Sequence, residues 1–177
     1  MTTTFRHLFA LLGVFILLLP MPAWAGRQCY LPAELEAEQL LRLHSQLMVI
    51  TYACKQGSRA QNLLTYYNSF TVNNIAALKK AEQTLIDFYK TRFSDDGIAH
   101  LDDLRTKLGN EFSREAAEDS APLYCREYRD RVISFYYNTP VQVANEARHM
   151  ALTQKSYTAL CKMADNSKTA RMDKKTP

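Results

Sequence analysis

Four cysteines, Cys29, Cys54, Cys125 and Cys161, constrain this chain more than any other feature, because a long helical pattern lies between the first two. From Pro32 to Gln56 the sequence PAELEAEQLLRLHSQLMVITYACKQ runs without a break, with Leu40, Leu43, Leu47, Ile50 and Cys54 at spacings of three and four. That spacing predicts an amphipathic helix whose apolar seam meets a partner while Glu38, Arg42, Ser45 and Lys55 face away. At ~1.5 Å per residue, ~22 helical residues span about 33 Å, whereas a disulfide holds its Cα atoms within about 7 Å. Cys29 therefore cannot pair with Cys54, and two of the three possible connectivities remain.

Residues 1 to 25 combine Arg6, a leucine-rich run from Leu8 to Leu19, a Pro20 break and Ala23-Trp24-Ala25. This reads as an export signal cleaved before Gly26, the apolar run falling short of the ~18 residues that span a bilayer. Cys29 does not directly follow the cleavage point, so a lipid anchor is not expected. The mature chain of 152 residues (177 less 25) is enough for one domain with one core. An even number of cysteines in an exported chain predicts two disulfides. A cysteine metal site is disfavoured because no two cysteines have C-x-x-C spacing and none has a histidine close in sequence.

The remaining elements follow from periodicity and breakers. Residues 60 to 92 carry a second helical pattern with Tyr67, Phe70, Ile75, Leu78, Ala81, Leu85 and Phe88 on one face, and Thr71-Val72-Asn73-Asn74 is a poor helix former within it. Ser94-Asp95-Asp96-Gly97 forms a turn and cap before a third helix with Ile98, Leu101, Leu104, Leu108 and Phe112 inward, reaching about Glu118. Gly109 inside it marks either a close backbone approach or a tolerated loss. A fourth helix begins at Ser120-Ala121-Pro122, with Cys125, Tyr128, Val132 and Phe135 inward. A fifth begins at Thr139-Pro140 and is expected to reach Cys161 through Val143, Ala147, Met150 and Tyr157.

The expected fold is thus all-α: an antiparallel bundle of four to five helices stapled by two disulfides, occupying residues 26–163. Short connections make successive helices antiparallel and bring Cys54 toward Cys125. Cys29 with Cys161 then requires the last helix to cross toward the start of the first. Residues 164–177 read as a basic, disordered tail, since Lys168, Arg171, Lys174 and Lys175 outnumber Asp165 and Asp173 and apolar residues are few.

No reaction is named by the sequence. There is no G-x-S-x-G and no phosphate-cradling loop among the five glycines. The net charge of +4, or +3 once Arg6 is removed, makes no basic stripe on a predicted helix, so nucleic-acid binding is not expected. Glu146 and His149 have the Glu-x-x-His spacing of di-iron bundles but lack the second copy and further glutamates that such a site needs. His44 and Met48, four apart, could offer nitrogen and sulfur to copper, although a core-bordering histidine is the more ordinary reading. Glu34, Glu38, Glu111 and Glu115 would form an acid–base pair only if the fold brought the first and third helices together; otherwise they are ordinary charged helix faces. No cofactor is expected, and no transmembrane segment remains after cleavage.

The segments CYLPAELEAEQLLRLHSQLMV, YNSF, LGNEFSREAA and LYCREY resemble those of a group of small exported helical proteins of alphaproteobacteria with no assigned activity. The resemblance covers Cys29 to about Tyr128. It implies a periplasmic or secreted location and adds no site. The expected role is a non-enzymatic interaction or envelope-associated module whose partner is another envelope or secreted protein. A small-ligand- or metal-binding bundle is the alternative, and a hydrolytic enzyme the third reading.

Overall fold

The computed structural model describes residues 28–55, 61–94, 96–118 and 120–162. The expected leader (1–25) and basic tail (164–177) lie outside the described residues. Six helices carry the fold: α1 Pro32–Ala53, α2 Gln61–Asn73, α3 Ile75–Phe93, α4 Gly97–Glu118, α5 Ala121–Tyr137 and α6 Pro140–Thr153. The described residues contain no strand, only an isolated parallel bridge between Tyr30 and Leu160.

Helix α1 is the hub and packs against all five others. Pro32 occupies its first turn, and the Glu34 carboxylate accepts the Leu31 N–H at 2.6 Å, which closes the entry. Leu43, Leu47 and Ile50 are fully buried, each stabilising the fold by about 1.5 to 3 kcal/mol. The outward face expected for this helix is corrected: Glu38, Arg42 and Ser45 are buried, and of the four residues placed outside only Lys55 is exposed. A helix with neighbours on several sides has little polar face to give to water along its middle, so polar residues there need protein partners.

The predicted second helix is divided at Asn74, inside the weak stretch Thr71–Asn74. Asn74 N–H and Nδ2 both donate to the Phe70 carbonyl, and Leu78 N–H donates to the Asn74 carbonyl, so the chain bends without reversing. Tyr67, Phe70, Leu78, Ala81, Leu85 and Phe88 are buried as expected; Ile75 and, on α4, Ile98 are exposed instead. Because α2 and α3 run in one direction, the end of α1 meets the start of α5. Cys54 pairs there with Cys125, Cα atoms 5.4 Å apart, and Cys29 pairs with Cys161 at 4.9 Å.

The last helix stops at Thr153, well before Cys161. Its start is as read: Thr139 Oγ1 accepts the Gln142 N–H at 3.3 Å and Gln142 Oε1 accepts the Thr139 N–H at 2.8 Å. From Gln154 the chain is irregular, bending at Tyr157 and Thr158, because its backbone and side chains are hydrogen-bonded to α1 and to Tyr30 rather than to a further helical turn. Tyr30 N–H donates to the Ala159 carbonyl and Cys161 N–H to the Tyr30 carbonyl, both at 2.8 Å, so residues 154–161 form a strap held across the bundle.

The two helical glycines of α4 behave oppositely. A Cβ on Gly97 would collide with the Ile86 carbonyl oxygen of α3, whereas one on Gly109 would meet nothing within 4 Å. Gly97→Ala is expected to lower stability by about 1 to 3 kcal/mol and Gly109→Ala to raise it by about 0.5 to 1 kcal/mol. Urea unfolding of the two variants checks the opposite signs.

Candidate functional site

The strap covers a buried polar network built on one turn of α1. Arg42 Nη1 donates to Glu111 Oε1 of α4 at 2.8 Å, and its Nη2 stands 3.8 Å from Glu38 Oε1. Tyr157 of the strap closes the network from above. Its N–H donates to Glu38 Oε1 at 2.9 Å, its O–H donates to Glu111 Oε2 at 2.8 Å, and its ring lies 5.4 Å from the Arg42 guanidinium. Gln39 Nε2 donates to the Lys155 carbonyl at 3.2 Å. At the other end of the strap, Arg92 of α3 donates to Thr158 Oγ1 at 3.2 Å, and the Tyr30 and Tyr89 hydroxyls meet at 3.1 Å.

The two carboxylates beside Arg42 are shifted in opposite directions. For Glu38, burial outweighs the Tyr157 N–H, the Tyr30 hydroxyl and Arg42, and its pKa is held above the ordinary value. Burial also pushes Glu111 upward, but the Tyr157 and Arg42 hydrogen bonds and the nearby Lys155 prevail and hold it below. The short contact to Arg42 goes to Glu111, so Glu111 is the counter-ion and Glu38 the desolvated neighbour. Glu38 Oε2, Gln39 Oε1 and Arg42 Nε make no hydrogen bond of standard geometry.

The acid–base possibility is therefore met in part. The fold brings Glu38 and Glu111 together across α1 and α4, but both are buried under Tyr157 and committed to Arg42 and the strap. Glu34 is used at the start of α1, and Glu115 is exposed, its pKa raised by partial desolvation and by Glu111. Periodicity missed Gln39, Arg42, Tyr157 and Tyr30. The only local signal was the Glu38-to-Arg42 spacing of four, which reads equally well as a surface pair.

The metal candidates do not converge. Glu146 pairs with Arg131 at 3.5 Å, and His149 is exposed. His44 lies 2.9 Å from the Tyr67 hydroxyl and stacks on that ring, while Met48 faces a groove against α4. Among the described residues no group of three or more His, Cys, Asp or Glu could hold a metal ion. Burial, ahead of the opposing effects of Glu82 and Arg105, holds the His44 pKa below its ordinary value of 6.5. A lowered histidine pKa gives stability that is complete above the unfolded value and lost as pH falls through it toward the folded value. Thermal melts are therefore expected to drop between about pH 7.5 and 5.5, and His44→Gln, which keeps an acceptor for Tyr67, to flatten that part of the profile.

Among the described residues, two of the concave surfaces open to solvent join. Met48, Val49, Tyr52 and Ala53 of α1 with Ser113, Ala116 and Ala117 of α4 line an apolar groove of about 440 Å³. Ser113 and Ala117 also line a polar recess of about 560 Å³ with Lys107, Asn110, Arg114 and Tyr157. Tyr157 borders a third, smaller recess of about 170 Å³ that includes Arg92, His100, Asp103 and Thr158. No family model matches the chain, and neither a curated protein nor a solved structure matches it. No described helix is long and apolar enough to cross a membrane.

Proposed function

We propose that this is an exported, disulfide-stapled helical protein that works by binding a segment of another envelope or secreted protein in the groove between α1 and α4. The observation that carries this reading is the continuity of the two concavities through Ser113 and Ala117, apolar at one end and polar at the other. Its apolar end exposes Tyr52 beside Met48, an aromatic and a flexible thioether of the kind that anchors binding surfaces. The groups that could do acid–base work, by contrast, are consumed by the fold: Glu38 and Glu111 by the strap, His44 by Tyr67. Two disulfides and a leader-like N-terminal sequence support an oxidising compartment.

A photo-crosslinking residue placed at Tyr52 in the full chain is expected to trap a protein in the intact envelope. The same residue at Lys80, which lines a separate hollow formed with α1 and α6, serves as the control. Protein adducts at Lys80 alone would move the surface elsewhere; none at either position would end the binding reading. A second reading, small-ligand binding, is favoured by the recess of Arg92, His100, Asp103 and Thr158. Thermal shifts against a panel of small zwitterions and anions test it.

A further inference from the structure

The polar half of the groove is organised along one stripe of α4. Lys107, Asn110, Arg114 and Ala117 line it at steps of three, four and three, the spacing by which one helix receives another. Lys107 and Arg114 are thus two turns, ~10.5 Å, apart. Glu111 lies between them in sequence but is turned inward, where Arg42 pairs with it and the Tyr157 hydroxyl donates to it. Lys107 is paired with Asp103 at 2.6 Å, with both side chains more than half exposed, and such a pair exchanges easily for a better one. Arg114 makes no ion pair with a described residue. Lys155 adds a third cation 3.4 Å from Glu111 Oε1. The described residues contain no strand edge to which an extended peptide could add.

Resting on the segment-binding reading above, we propose that the occupant is an amphipathic helix of a partner protein carrying two carboxylates seven residues apart. The carboxylates face Lys107 and Arg114, and the helix's apolar stripe continues onto Met48, Tyr52 and Ala116. Charge complementarity selects the acidic helix; the heptad-like stripe selects a helix over an extended chain.

The test places a photo-crosslinking residue at Ser113, where the two halves meet, in the full chain in its own cells, with the trapped segment mapped by mass spectrometry. The expected adduct lies in a helical segment with Asp or Glu seven apart. Its yield falls by about tenfold or more in Lys107→Glu/Arg114→Glu and returns when the partner's two carboxylates are changed to lysine. Lys107→Gln/Arg114→Gln is the second variant should charge reversal disturb folding. A trapped segment without carboxylates, an adduct from a second copy of this chain, or a yield indifferent to both variants overturns the acidic-helix inference and leaves protein binding standing. Adducts with lipid only, or none at all, remove both.

Discussion

Arg42→Ala is expected to lower the unfolding free energy by about 3 to 5 kcal/mol, the largest effect of any single substitution proposed for this protein. The guanidinium is buried between two carboxylates, and its removal takes from Glu111 its buried counter-ion, leaving the Tyr157 hydroxyl and the exposed Lys155 as the groups that hold its pKa down. Glu38, whose pKa is already above the ordinary carboxylate value, loses the cation beside it. Truncation also opens a space beside Phe112 and Tyr157, whose rings lie 5.9 and 5.4 Å from the guanidinium. Urea unfolding at neutral pH measures the loss. The triple replacement Glu38→Leu/Arg42→Met/Glu111→Leu separates the cost of an orphaned charge from the net worth of the network. It is expected to recover most of the stability, because a buried ion pair often does little better than apolar side chains of similar volume. A triple variant as unstable as Arg42→Ala would show that the strap depends on these hydrogen bonds for its seating.

Cys29→Ser/Cys161→Ser is expected to cost about 2 to 5 kcal/mol, with a local signature that loss of the other disulfide lacks. The bond joins positions 132 residues apart and holds the strap against Tyr30, whose two backbone hydrogen bonds flank it. Without it, the strap is held by the Tyr30 backbone bonds and by the contacts of Lys155, Tyr157 and Thr158 with the bundle. Hydrogen exchange should show protection lost at Tyr30, Tyr157 and Cys161-position amides first, while the α1 amides keep theirs. Cys54→Ser/Cys125→Ser, which frees the end of α1 from α5, should leave strap protection in place. Equal loss of strap protection in both variants would mean that the strap is held by the bundle as a whole rather than by its own crosslink.

The helices were legible because their signals are local. Leucines at steps of three and four, Pro32 in a first turn, Thr139 before Pro140 and the weak stretch at Asn74 each act within a turn or two of chain. The exclusion of Cys29 with Cys54 was equally secure, since it needed only the length of one helix. The course of the chain after Thr153 was not legible. Tyr157 sits at a helical spacing from Met150 and Cys161, yet its N–H and O–H are engaged by Glu38 and Glu111, 119 and 46 residues away in sequence.

By itself, the sequence determined an all-helical chain with a Leu-rich first helix and paired cysteines, because backbone hydrogen bonding and hydrophobic periodicity are short-range. Only the tertiary structure decided that five helices pack around α1, that Glu38 and Arg42 lie inside, and that the end of the chain is a strap. A polar side chain at a given helical phase faces either water or a buried partner. The choice belongs to the helices packed around it, and no spacing within α1 records where Glu111 and Tyr157 will be.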